Sequence, residues 1–206
     1  FTAHTADGRR YRAPQMLVAC GAWSNRMAEQ FGEGVSLDPR GPQMGVTEPL
    51  PYAIGPSIGL SSPIEHEGLY FRQISRGNIV FGGGLKGPAY ADHIRAYSRP
   101  DNILRQLREL RRFVHAFEHV QLIRVWRGIE GYTPDWQAIM GPSAKVPGLH
   151  YAFGFNGEGF AISPGVGETM AELMATGRTD IPLEPYFIGR PGVQKTTATA
   201  EIAKAA

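Results

Sequence analysis

Two places in this sequence hold residues whose types and spacing suit chemistry. At Asn156-Gly157-Glu158-Gly159-Phe160 an apolar run, Leu149 to Phe155, gives way to helical sequence. Glycines at a helix start let a ligand approach the backbone, and exposed N–H groups with the helix dipole favour negative charge there. A turn of this kind serves tight packing as readily as ligand binding. It is not a phosphate-gripping loop of the Lys-Ser/Thr type, because neither Lys nor Ser/Thr follows in register. The second place is Trp126-Arg127-Gly128-Ile129-Glu130, where a carboxylate follows an arginine. Arg72, Arg124 and Arg127 are each candidates for an anion site, and the sequence does not choose among them. Glu130 reads either as the partner of a cation or as a solvated or salt-bridged surface residue. His115 and His119 are four apart at a helix end. No third ligand is evident among them and His66, His93 and His150, so no metal is assigned.

The elements that must position these residues are readable in outline. Tyr11 to Ala19 ends in an apolar run that predicts a buried strand, followed by a turn at Cys20-Gly21 and a helix over 25–31, capped by Ser24 and stopped by Gly32. From Val35 to Leu85, Pro39, Pro42, Pro49, Pro51, Pro56 and Pro63 break the chain into pieces too short for helices. Leu69 to Gln73 and Asn78 to Phe81, separated by Ser75-Arg76-Gly77, predict a hairpin in an antiparallel, meander-like region. Ser98 to Phe117 is the clearest helix, with Ile103, Leu104, Leu107, Leu110, Val114 and Phe117 as its apolar stripe. Its arginines, interrupted by Glu109 and without interleaved aromatics, read as a solvated face. Gln121 to Ile129 alternates loosely and predicts a strand. Leu149 to Phe155 is another buried strand, and a helix with Val166, Met170, Leu173 and Met174 on its apolar side ends at Gly177. Residues from Pro191 onward read as an unpacked tail.

Composition narrows the class. The chain has 206 residues, 42% hydrophobic and 19% charged, enough to bury a proper core. A formal charge of +2 gives no electrostatic case for nucleic acid or an anionic membrane surface. The 26 glycines and 16 prolines predict many turns and close backbone approaches. Cys20 stands alone, so no internal disulfide forms, and a reducing, cytoplasmic setting is expected, with peripheral attachment at an inner membrane as the alternative. No stretch approaches the roughly 18 apolar residues of a membrane span.

In order, VACGAWS, RVWRGIEGYTPDWQAIMGP and GLHYAFGFNGEGFAISPGVGETMAELMATG resemble the C-terminal half of the FAD-dependent D-amino-acid oxidase/dehydrogenase superfamily, over nearly the whole chain to about Arg190. The Glu130-Gly131-Tyr132 variant is most similar to the opine-oxidase and hydrogen cyanide synthase branch. The resemblance implies a fold mixing α/β with α+β, in which an antiparallel substrate domain is inserted between elements of an FAD-binding domain. The expected divisions are 1–34 (partial FAD-binding domain), 35–122 (substrate domain), 123–190 (return to the FAD domain) and 191–206 (flexible tail). It also implies a partner half carrying the G-x-G-x-x-G fingerprint, which this sequence lacks. Gly82-Gly83-Gly84 follows a hairpin strand, opens no helix and does not substitute for it.

Residue roles follow from the same resemblance. Ala19, Gly21 and Trp23 match a turn beside the cofactor. Asn156, Gly157, Glu158, Gly159 and Phe160 match a turn whose backbone donors face the pyrimidine edge of the flavin, where reduction gathers negative charge. Gly128 would let its strand pass close to the flavin. Gln43 and Met44 match a stretch near the substrate cavity, and Tyr70 and Arg72 lie on the hairpin that roofs it. Arg127 and Glu130 complete the candidate substrate set, with Glu130, standing where glycine-oxidase-like relatives have an arginine nearby, as a partner for a substrate ammonium rather than a substrate carboxylate. Cys20 is expected as a packed thiol rather than a flavin tether, and Trp126 and Trp136 as core or cavity wall. The implied activity is oxidation of an amine, amino acid or opine-like C–N bond to an imine, with FAD as cofactor. The alternative is a non-catalytic subunit of a multi-subunit flavoprotein complex.

Overall fold

The computed structural model describes residues 1–64, 67–92 and 94–194. In chain order the strands and helices are β1 (Thr2–His4), β2 (Arg10–Arg12), β3 (Met16–Val18), α1 (Ser24–Gln30), β4 (Asp38–Gly41), β5 (Gln43–Pro49), β6 (Ile58–Leu60), β7 (Leu69–Gln73), β8 (Asn78–Gly82), β9 (Gly87–Tyr90), β10 (Arg95–Ala96), α2 (Pro100–Phe113), β11 (Leu122–Arg127), β12 (Glu130–Tyr132), β13 (Ile139–Pro142), β14 (Leu149–Phe153) and α3 (Gly159–Thr176). Short 3₁₀ turns lie at Gly21–Trp23, His115–Phe117 and Glu184–Tyr186. None of the described helices is long and apolar enough to cross a membrane.

Two compact units emerge, one of residues Phe1–Asp38 with Glu130–Ala206, the other Pro39–Ile129. The expected switch at 122 falls inside the second unit, because β11 pairs antiparallel with β5 and so belongs to that unit's sheet.

In the first unit a three-stranded sheet runs β13-β14-β3, with β14 parallel to β3 and antiparallel to β13. Every residue of β14, Leu-His-Tyr-Ala-Phe, is buried, as a central strand covered on both faces must be. Leu149, Tyr151 and Phe153 share a core with Ala28 of α1, while Ala152 packs with Met170 of α3. Behind α1, the Glu33 carboxylate accepts from the Ser143 hydroxyl, from the Ala144 amide at 2.6 Å and from the Tyr151 hydroxyl at 2.9 Å.

Three expectations in this unit need correction. Ser24 is the first helical residue rather than a side-chain cap, because its Oγ accepts from the Cys20 amide at 2.8 Å across the preceding turn. Cys20 is exposed, since β3 ends at Val18 and the thiol lies beyond the covered sheet. The start of the expected tail is anchored rather than loose: Val193 is fully buried in the core and Gln194 bridges Val35. The rest of the expected tail, 195–206, lies outside the described residues, as do His66 and His93.

The second unit is built on an antiparallel sheet, β11-β5-β8-β7-β6, with β9 pairing β10 and β4 beside it. The β7–β8 hairpin forms at the expected residues. Strict two-residue alternation puts Leu69, Phe71, Ile79 and Phe81 on one face, packed against Ile103 and Leu110 of α2. α2 opens at Pro100 with Asp101 in its first turn and Arg111 and Arg112 in its last, matching the helix dipole. It ends at Phe113 because Val114 is extended, and Leu104, offset one residue from Ile103, faces solvent instead of joining the stripe.

Candidate functional site

Parallel pairing of β14 with β3, in which Leu149 meets Met16 and Tyr151 meets Val18, makes both strands end on the same side of their sheet. The turns that follow, Gly21–Trp23 and Asn156–Glu158, therefore leave the sheet together, and β12 packs against the first of them. Crevices at the carboxyl ends of parallel strands are where open α/β sheets hold ligands.

The second turn is fixed by side chains from afar. Asn156, at φ +54°, accepts from the Thr133 amide at 2.8 Å and from the Thr133 hydroxyl at 3.2 Å, and donates to Gly154 O. Gly157 sits at φ +95°, where a Cβ would lie 3.1 Å from the Tyr132 hydroxyl and 3.4 Å from Glu130 Oε2. Glu130 itself accepts from the Tyr132 hydroxyl at 2.7 Å. Its carboxylate is thus committed beside the glycine turn, and it makes no salt bridge among the described residues.

α3 then begins without a side-chain cap, and the amides of Gly159, Phe160 and Ala161 have no acceptor among the described residues. Pro164 inside the helix cannot donate to Phe160 O, and the Ser163 hydroxyl does so instead at 2.9 Å. Phe160 is 96% exposed, so its own side chain does not fold back over the helix entrance. Next to it lies a groove of about 490 Å³ whose lining is mostly apolar and includes Ala19, Ala152, Phe155, Gly159 and Val166. A flat apolar ring with an acceptor-rich edge matches this pairing of greasy wall and free amide donors, so the residues present fit a flavin.

Support comes from the loop after Thr133. Trp136, at φ +59°, stacks edge-on against Tyr132 and is exposed, not core. Arg190 holds this loop through Asp135, at 2.7 and 3.0 Å, and through the carbonyls of Gln137 and Ala138. The same guanidinium draws the Asp135 carboxyl down to about 2.

In the second unit the face of the sheet opposite α2 is open. Trp126, Met44, Gly82 and Tyr70 form one cross-strand row, and Arg124, Val46, Val80 and Arg72 form the next. Gly82 is a notch: a Cβ there would fall on Met44 Sδ and lie 2.7 Å from the Tyr70 hydroxyl, which reaches over the strand to Met44 Sδ at 3.1 Å. Of the expected substrate residues, Met44, Tyr70 and Arg72 lie on this face. Gln43 and Arg127 do not. Gln43 is buried and exchanges two hydrogen bonds with the Arg99 backbone, and Arg127 donates to Ala96 O, so both anchor the segment leading into α2. Gly128 lies just past β11, where an added Cβ would make only an ordinary contact with Pro42.

Sequence reasoning missed Thr133, Tyr132, Arg190 and Gly82. The Thr-Pro-Asp run was visible, but its partners stand 23 and 55 residues away.

Residues 1–173 match the FAD dependent oxidoreductase (DAO) family, and the chain belongs to it; that family is FAD-dependent. The mouse FAD-dependent oxidoreductase domain-containing protein 1 is 28% identical, over 85% of this chain and 38% of its own length. Glycine oxidase of Geobacillus kaustophilus is 26% identical over 94% of this chain and 50% of its own. Among solved structures, L-proline dehydrogenase from P. horikoshii superimposes with a TM-score of 0.81 at 25% identity, over 91% of this chain and 49% of that one. The chain spans about half the length, or less, of the relatives it matches.

Proposed function

We propose that the protein oxidises the C–N bond of an amine or amino acid to an imine, as an FAD-dependent enzyme resembling glycine oxidase. One observation carries this reading: the uncapped start of α3 opens beside an apolar groove, at the sheet end shared with the Gly21–Trp23 turn. Bound FAD supplies a two-electron acceptor for the substrate C–N bond. The amides of Gly159 and Phe160 would stabilise negative charge at the flavin's acceptor-rich edge, preorganised by Asn156 and Thr133. Ala19, Gly21 and Trp23 would border the ring. The open sheet face of the second unit, with Met44, Tyr70 and Arg72, would bind and orient the substrate. Hydride transfer asks the protein mainly for such orientation and electrostatics, so no nucleophile or metal is needed.

The test is anaerobic. Adding glycine, sarcosine or proline to the FAD-loaded natural protein should bleach the flavin absorbance and yield the keto acid or imine product. A flavin that no amine bleaches, although dithionite reduces it, contradicts the proposal.

A further inference from the structure

On the open sheet face, β11 carries an irregularity that decides which side chains it presents. Leu122 pairs with Thr47 and Arg124 with Val46, so Ile123 is an extra residue, a β-bulge. Without it, strict alternation from Leu122, whose side chain packs in the α2 core, would send Arg124 and Trp126 to that core and Val125 outward. With it, Val125 packs toward the core, and Arg124 and Trp126 stand on the open face with Met44 and Tyr70. Bulges gather near binding sites because they re-aim side chains in this way.

Arg124 shares its row with Arg72. Pairing runs Arg124–Val46–Val80–Arg72 across β11, β5, β8 and β7. Three strand spacings put the two arginine backbones roughly 14 Å apart, with two valines between them. Both arginines are exposed, and neither has a hydrogen bond or ion pair among the described residues. Two unpaired, always-charged forks at the ends of an apolar strip are laid out for an elongated ligand with an anion at each end.

We infer that this face selects a dicarboxylate: a secondary amine or amino acid with one carboxylate for Arg72 and one for Arg124, its middle lying over Val46 and Val80. The inference rests on the amine-oxidation reading for the identity of the substrate, but the anion pair is testable without it. Calorimetric titration of the natural protein with glutarate and with butyrate compares two anions with one on similar chains. Glutarate should bind about tenfold tighter or more. Arg72→Gln and Arg124→Gln should each bring glutarate down to about butyrate's affinity, whereas Arg127→Gln should leave the glutarate-to-butyrate ratio intact. Equal affinities in the wild-type protein, or glutarate binding indifferent to Arg72→Gln and Arg124→Gln, would overturn the inference. Dicarboxylate selectivity in a protein that oxidises no amine would sink the activity and leave this site standing. Amine oxidation with no preference for dicarboxylates would do the reverse.

Discussion

Substituting Gly157 by Ala perturbs the candidate flavin turn at one carbon. The residue's φ of +95° is one that a side chain tolerates poorly, a penalty of about 1–3 kcal/mol. The new Cβ would also sit 3.1 Å from the Tyr132 hydroxyl, and Tyr132 is 2% exposed with Trp136 against its ring, so it has little room to retreat. Stretching its hydrogen bond to Glu130 adds on the order of 1 kcal/mol, less than the full value of a broken bond. The total is about 2–4 kcal/mol, a fall in melting temperature of roughly 5–15 °C for a chain of this size. Calorimetric melting reads it directly. In a Tyr132→Phe background the clash disappears, so the same Ala substitution should cost about 1 kcal/mol less. Gly165→Ala is the opposite case. There φ is ordinarily helical and nothing lies within 4 Å of the new Cβ, so a gain of about 0.5–1 kcal/mol is expected. Equal effects of the same sign at positions 157 and 165 would refute the reasoning.

The carboxylates supply two further predictions. Because Arg190 holds the folded Asp135 carboxyl near 2, below its usual 3.8, the pair's stabilisation is present above about pH 4 and is lost as pH falls toward 2. For a partly exposed pair this amounts to on the order of 1 kcal/mol, and Asp135→Asn should flatten that part of the acid-unfolding curve. Glu33→Gln keeps the shape but faces three donors with an amide that can accept through only one oxygen, so denaturant unfolding should show a loss of about 2–4 kcal/mol.

What the sequence made legible is what local chemistry controls. The β7–β8 hairpin follows from Ser75-Arg76-Gly77, α2 from its 3.6-residue stripe, and the helix entrance at 156–160 from glycines set where an apolar strand gives way to helical sequence. Less was legible where tertiary pairing decides. The loose alternation in 121–129 is the bulge at Ile123, whose phase shift is set by the partner strand β5. Ser24 reads as a cap until Cys20 claims its hydroxyl, and Gln43 and Arg127 read as binding groups until the Arg99 and Ala96 backbones take them. Val193 looked dispensable in a polar tail because its burial depends on Val35, more than 150 positions earlier.

The central claim is that the backbone amides at the start of α3 are the flavin's electrostatic partner. Amide proton–nitrogen spectra of the natural protein, recorded before and after FAD is added and again after reduction, test it most directly. The account predicts that Gly159 and Phe160 shift strongly on binding and shift again, toward stronger hydrogen bonding, on reduction. Flavin binding that moves other amides while these two stay in place would contradict it.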